Sequence, residues 1–417
     1  MSTTYRARGG ETFDSISRIV YGSPFGASAI RRANPGVIDP LREGATVTVP
    51  TVPGLNPQNS TSNDPDEVGI LVGGKRFRAW QSVTVARSTD SIDTITLAAP
   101  QTPGAREHFR PFSFQEITVT VGGDPLFSGT VVDIDPALSN DGALLSLTAY
   151  STPGVLEDCT PSAAAFPLQF KDLDLYQIAE QLCEPFGIQV KRDTAPQQVG
   201  AQFNAPISVG DAFGGEGVAL DPGKSILSFL MELAQQRDIV LTNTERGELL
   251  LSKPATVGIP VAKLSSGTPP LLSVTPSFNP RKWFSHLTSI GPATMEGDGS
   301  AYTAKNKHAD GVIRPYVSLA SDATDGTARQ SAETKLGHMI EDAAAYSISV
   351  STWRSPSGDL WKAGDTLSLE APDAMVYNPY NFIIRSVEFL RASDSGAATA
   401  ELVLNIPRTA EGLPWDL

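Results

Sequence analysis

Apolar and polar positions follow several distinct patterns along this chain, and each change of pattern marks a different kind of element. Residues 1–51 read as a short strand over Tyr5–Arg8 and then a helix carrying Phe13, Ile16, Ile19 and Val20 behind Thr12 as its cap. A second helix around Ala27–Ala33 stops at Asn34-Pro35-Gly36, because proline biases the residue before it away from helical geometry. A returning strand carries Val47 and Val49, so the order is β-α-α-β. Residues 52–66 have almost no apolar content and three prolines, which predicts a semi-rigid tether.

From Gly69 a period of two takes over. Ile70–Val72, Arg78–Ala86, Ile92–Ala98, Ile117–Val121, Leu126–Ile134 and Ala143–Ala149 alternate, with a Gly122-Gly123-Asp124 turn and a polar loop at Asp135–Asp141. Residues 67–155 therefore read as a small antiparallel barrel or sandwich. Helical spacing returns at Leu175, Ile178, Ala179, Leu182 and Phe186, and again at Ile226, Phe229, Leu230 and Leu233. With the hairpin Ile239–Leu241 to Glu248–Leu251 these define an α/β segment over 156–269. Strands resume over 270–417, interrupted by one long helix from about Thr324 to Ala345. The predicted class is mainly β with an α/β insertion: two antiparallel barrels plus the N-terminal module.

The two β-rich parts repeat one another. Strand 117–121, a turn, strand 126–134, a polar loop and strand 143–149 have counterparts in Gly364–Leu369, Phe382–Phe389, the polar loop Arg391–Gly396 and Thr399–Ile406. Any antiparallel meander looks somewhat like this; the sharper reading is two copies of one barrel. Three such chains would present six similar barrels, which suits an adaptor between a threefold and a sixfold object.

Composition narrows the function. Gly 36 and Pro 32 in 417 residues fit a turn-rich β protein, and 40% apolar with 19% charged residues excludes a disordered chain or coiled coil. A net charge of −14 argues against tight nucleic-acid binding, which needs clustered Lys and Arg. No apolar run reaches the length of a membrane span and the N-terminus has no signal-peptide core, so the expectation is a soluble protein without membrane insertion. The charge is unevenly spread: residues 1–51 hold six arginines against four acidic residues, leaving the remainder near −16. An acidic body could line a conduit that repels a passing polyanion, or could serve solubility alone.

Two resemblances follow from these residues. Tyr5, Gly10-Glu11-Thr12-Phe13, Ser15-Ile16, Asn34-Pro35 and the ending Leu41, Gly44, Val47, Val49, Pro50 resemble a LysM domain. That likeness implies a groove between two loops, with Gly10, Glu11, Thr12 and Phe13 on one and Asn34, Pro35, Gly36 and Val37 on the other. Its occupant would be either an N-acetylglucosamine polymer such as peptidoglycan or a neighbouring protein; the six arginines favour an acidic protein surface, making the module a docking clamp. The body, over about 68–409, resembles the baseplate hub of contractile phage tails, in the Mu-like and late control protein D group. The stretches Val72–Ser88, Leu175–Ile188 and Leu220–Leu251 carry this likeness by their order and length. It implies two tube-type barrels with an α/β insertion and a homotrimer, built into a virion tail in the host cytoplasm. The implied partners are a central spike, a tail tube or tube-initiator protein, and wedge and sheath-initiator proteins.

Enzyme chemistry finds little footing. His108, His286, His308 and His338 have no metal-ligand spacing, and no Gly-x-Ser-x-Gly elbow occurs. Cys159 and Cys183 match no zinc spacing, and Cys183 lies beside the apolar face of its helix, where core packing is expected. Gly223-Lys224-Ser225 looks like the end of a phosphate loop, but Asp221 and Pro222 would crowd a phosphate, so a helix start is expected there. No catalytic residue, metal or cofactor is expected. The alternative is a tail protein that binds or degrades peptidoglycan, whose paired carboxylates would meet only in space.

Overall fold

A computed structural model describes residues 3–7, 11–21, 27–37, 40–42, 45–50, 66–102, 105, 109–139, 142–162, 169–170, 173–193, 218–219, 223–235, 239–290, 301–309, 311–319, 325–393, 398–408 and 412–416. Gly10, His108 and nearly all of the expected tether lie outside them. The chain forms two compact units, Met1–Gly69 with Thr120–Asp124, and Ile70–Val119 with Pro125–Leu417.

In the first unit, β1 (Thr3–Arg6) pairs antiparallel with β2 (Thr46–Val49), Tyr5 opposite Val47. The helices Phe13–Tyr21 and Ala27–Ala33 lie between them in sequence, as the pattern predicted. Phe13, Ile16, Val20, Ile30, Leu41, Val47 and Val49 form a small closed core.

The second unit is dominated by strands. Its first part supplies β3 (Val68–Val72), β4 (Lys75–Phe77), β5 (Ser82–Ser88), β6 (Thr94–Pro100), β7 (Glu116–Val121), β8 (Asp124–Ser139) and β9 (Gly142–Ser151). Then come β10 (Gln169–Phe170), β11 (Val190–Arg192), β12 (Val218–Ala219), β13 (Val240–Asn243) and β14 (Leu249–Ser252). The last part supplies β15 (Ala262–Ser265), β16 (Leu271–Phe278), β17 (His286–Ile290), β18 (Ala301–Lys305), β19 (Pro315–Leu319), β20 (Ala344–Val350), β21 (Thr366–Ala371), β22 (Val376–Ala392) and β23 (Ala398–Asn405). β7 buries Ile117, Val119 and Val121 by strict alternation. It turns into β8 through Gly122 and Gly123, both at positive φ (57° and 94°), as a two-residue hairpin with the twist of the sheet requires.

The two β-rich parts expected from the sequence are joined by hydrogen-bonded strands. They fuse into one thirteen-stranded sheet with the path β16-β20-β23-β22-β5-β6-β9-β8-β7-β3-β4, β21 and β15 branching from β22. Within it the repeat is plain. The order β5-β6-β9-β8-β7 in the first part is matched, strand for strand in chain order, by β16-β20-β23-β22-β21 in the last. The long middle strands also share a defect: β8 shifts register against β9 between Val131 and Asp133, and β22 against β23 between Ile384 and Ser386. Each bulge increases twist and re-aims the far half of its strand. The far half of β22 uses that freedom: Ser386–Ala392 pairs antiparallel with Ser88–Ser82 of β5 and welds the halves together.

The α/β insertion packs the helices Leu175–Cys183 and Ile226–Gln235 on a three-stranded sheet, β11-β14-β13, around Leu156, Ile178, Leu182, Leu230, Leu241 and Leu251. Asp174 caps the first helix, accepting from the Gln177 N–H while the Gln177 side chain accepts from Asp174 N–H. Ser225 caps the second through the Ser228 N–H at 3.3 Å, so Gly223-Lys224-Ser225 is a helix start as expected. Cys183 is fully buried and its thiol is pushed up to about 12 by that burial, the packing role expected of it. A layer the pattern did not predict interrupts the last part: sheet β18-β17-β19, with the helix Asp325–Ala343 laid over Leu287 and Ala304 through Ala332 and Leu336.

Candidate assembly surfaces

Of the eight residues expected to line the N-terminal groove, the seven that are described divide into scaffold and surface. Phe13 is 1% exposed and belongs to the core, so it is corrected from groove to interior. Asn34 is corrected likewise: its Nδ2 donates to the carbonyls of Ile30 (2.8 Å) and Thr48 (2.7 Å), and its Oδ1 accepts from Thr48 N–H (2.7 Å). These three bonds tie the end of the second helix to β2, which accounts for an asparagine before the proline. Thr12 caps the first helix, its Oγ1 accepting from Ser15 N–H while Thr12 N–H donates to Ser15 Oγ. Glu11 accepts from the Tyr5 hydroxyl at 2.9 Å, and Val37 packs against the core. Pro35 and Gly36 are left as the exposed part, with Gly36 at φ 99°. Asn34→Ala is expected to cost the module about 2–3 kcal/mol by orphaning the Thr48 N–H and two carbonyls. A denaturation curve of the isolated residues 1–66 against the same fragment carrying the substitution measures it.

A second arrangement lies where the insertion meets the sheet, and the sequence did not reveal it. Arg87, the residue after the alternating core of β5, donates from Nε to Asp93 Oδ2 (2.9 Å) and from its guanidinium to Glu245 Oε1 (3.0 Å). Asn243 at the end of β13 reads Asp93 twice, accepting from its N–H (2.8 Å) and donating to its carboxylate (2.9 Å). Asp93 is 2% exposed. Burial pushes its carboxyl above the ordinary value, against the pull of Arg87 and of its donors. A few residues away Arg385 of β22 grips Asp90 Oδ2 (2.8 Å) and reaches Asp342 (3.3 Å). Thus two arginines, one on each strand of the weld, anchor the insertion and the long helix to the sheet.

The acidic partners of these arginines set a pH dependence. Burial raises the carboxyl pKa of Glu245 and Asp90, but Arg87 and the Ser88 and Arg385 donors respectively outweigh it, so both end lowered. A lowered folded-state pKa adds stability that is complete above the unfolded value and disappears as pH falls through the folded one. The wild type is expected to lose denaturant resistance between about pH 5 and 3 more steeply than Glu245→Gln/Asp90→Asn. Equal slopes in urea midpoint against pH would contradict the assignment.

Among the described residues no cluster of His, Cys, Asp and Glu could hold a metal ion, and no helix is long and apolar enough to cross a membrane. His286 stands in β17 with its Nδ1 2.9 Å from Ser285 Oγ, a packed strand position.

Comparison with known proteins is consistent with this architecture. Residues 153–253 match the family profile "Baseplate hub protein gp44-like, second domain", which spans the helical insertion and its hairpin. Residues 3–57 match the profile "Phage Tail Protein X". With these two matches and the repeated sheet, the chain is a baseplate hub-like phage tail protein. It is related to baseplate hub protein gp44 of Escherichia phage Mu, with 23% identity over 317 residues, 73% of this chain and 79% of that protein. Its fold is that of the 43 kDa tail protein of prophage MuSo2 from Shewanella oneidensis (TM-score 0.67, 21% identity, covering 82% of this chain and 98% of that one). The tail protein from Neisseria meningitidis MC58 has it too (TM-score 0.64, 17% identity, 81% and 96%).

Proposed function

We propose that the chain is the trimeric central hub of a contractile-tail baseplate. Three copies around one axis present six similar sheet halves. A threefold central spike can then mate on one side and a sixfold tail tube or tube-initiator protein on the other. The ring frames the DNA exit channel, and wedge and sheath-initiator proteins surround it in the virion. The role is mechanical, with no catalytic step. The single observation that carries this reading is the repeated strand order, β5-β6-β9-β8-β7 against β16-β20-β23-β22-β21.

The N-terminal module acts as a LysM-like docking clamp for a neighbouring baseplate or sheath-initiator protein. Its match to a tail-protein profile supports a protein partner, and so do the arginines Arg31 and Arg32 on the exposed side of its second helix. Of the groove residues, Pro35 and Gly36 are the exposed ones that would meet such a partner.

The mass of the purified chain in solution, read beside negative-stain images, tests the hub. A threefold ring is expected, and a monomer at micromolar concentration overturns it. Retention of the isolated module on purified peptidoglycan would replace the clamp by a glycan-binding role.

A further inference from the structure

The internal repeat contains two loops of equal length whose aromatic side chains go opposite ways. Residues 101–115 join β6 to β7, and residues 351–365 join their counterparts β20 and β21. In the second loop Trp353 and Trp361 are fully buried, their indole N–H groups donating to carbonyls at 2.8 and 2.9 Å. In the first loop Phe109 turns inward and meets Phe77 of β4 edge-on at 5.1 Å. Phe112 and Phe114 stand out from it, 91% and 64% exposed.

Both outward rings sit on left-handed backbone, Phe112 at φ 61° and Phe114 at φ 45°. For a bulky side chain that conformation is strained, and it persists only where the surroundings impose it. Position for position along the two loops, Gly364 at φ 96° stands where Phe114 does. One half of the repeat thus fills the left-handed position with glycine, the residue suited to it, and the other with an exposed phenylalanine. Folding alone does not ask for that ring. The tip is nonetheless braced: Phe109 N–H donates to Ala105 O (2.8 Å) and Ser113 Oγ to Arg110 O (2.6 Å). Its strain presents two rings to something outside the chain.

The charges near the tip give the chemistry of its partner. Phe77, against which Phe109 packs, lies in the run Lys75-Arg76-Phe77-Arg78, and Arg110 leads into the tip. Neither Val72–Trp80 nor Phe109–Gln115 holds an acidic residue, in a chain of net charge −14. Lys75, Arg78 and Arg110 are exposed and form no ion pair among the described residues. The partner is therefore anionic and takes up apolar rings. A bilayer suits this better than a protein. Two phenylalanine rings bury roughly 300–500 Å², short of the ~800 Å² per partner of a specific protein interface. A convex tip needs no preformed pocket in lipid, where aromatic rings reach the acyl boundary and cations stay at the phosphates. Screening over about 8 Å keeps distant acidic residues from opposing the contact. We propose that Phe112 and Phe114, together with Lys75, Arg78 and Arg110, form a tip that seats on an anionic lipid surface. The contact is peripheral, made by one loop without a membrane span, and is independent of how many copies the hub contains.

Sedimentation of the full chain with vesicles tests the contact. The wild type is expected to sediment with phosphatidylcholine vesicles containing phosphatidylglycerol, and ~tenfold less with phosphatidylcholine alone or at high salt. Phe112→Gly/Phe114→Gly is expected to lose ~tenfold or more in binding, through the missing apolar area. Its urea midpoint should stay level or rise, because glycine relieves the left-handed strain. Rings with a merely structural role would lower that midpoint instead. Lys75→Gln/Arg78→Gln/Arg110→Gln should weaken sedimentation by a similar factor at unchanged stability. Wild type left in the supernatant with the anionic vesicles overturns the proposal, and so does binding that the glycine pair retains. A glycine pair that drops out of assembled tails, with no vesicle binding in the wild type, assigns the tip to a protein partner and overturns the lipid.

Discussion

Trp353→Ala is expected to destabilise the sheet by about 3–5 kcal/mol, the cost of emptying a large aromatic site in a closed core. Trp353 is fully buried, its indole N–H donates to Thr399 O (2.8 Å), and its ring meets Phe389 edge-on at 5.4 Å. Phe389 lies opposite Val85 in the weld, so the cavity would open directly beside the strands that unite the two halves. Trp361, equally buried, donates to Thr352 O (2.9 Å) and holds the same loop down from its other end. Hydrogen exchange should show β5 and the far half of β22 losing protection together. Trp353→Phe keeps most of the apolar area and forfeits only the indole bond, so its loss is expected near 1 kcal/mol. A wild-type urea midpoint for the alanine variant would refute the placement of this ring.

Asp93→Ala is the second large effect, about 3 kcal/mol, because it strips the more buried of two carboxylate partners from a largely buried Arg87, leaving Glu245 as the other, and leaves Asn243 with an unused donor. The discriminating companion is Arg87→Met/Asp93→Leu. Removing Arg87 and Asp93 together leaves no half-paired buried cation and only the more exposed Glu245 without its arginine, so the pair is expected to lose less than Asp93→Ala alone. Should the double variant lose as much as the two single changes added, the cost would lie in packing and not in the charges. Urea unfolding of Asp93→Ala, Arg87→Met, Asp93→Leu and the double variant at pH 7 decides between these.

Much of the fold was legible because local pattern and tertiary need coincide in it. The strands around Val83 and Val85, Ile117 to Val121 and Val387 to Phe389 announce themselves by alternation, since each has one face in the core. The helix Leu175–Cys183 announces itself by its spacing and by Asp174 at its cap. β17 to β19 escaped because their apolar face is narrow: Leu287 and Ala304 are buried, while Val317 and Leu319 point outward. Such a strand has too little period to read. The groove misled for a related reason. Phe13 and Asn34 hold the module together from inside, and residue type alone cannot separate a motif that builds a fold from one that touches a partner.

By itself, the sequence determined the element order, the mainly β class, the helical insertion, the likeness of the two β-rich parts and the lack of any recognisable catalytic motif. These follow from periodicity, caps and turns, which act over a few residues. Only the tertiary structure decided that the two parts form one sheet and that Arg87 finds Glu245 across 158 residues of chain. Strand pairing and buried ion pairs depend on which segments meet after the chain has closed on itself. A strand carries the same alternation whether its neighbour comes from its own hairpin, from the far end of the chain or from another copy.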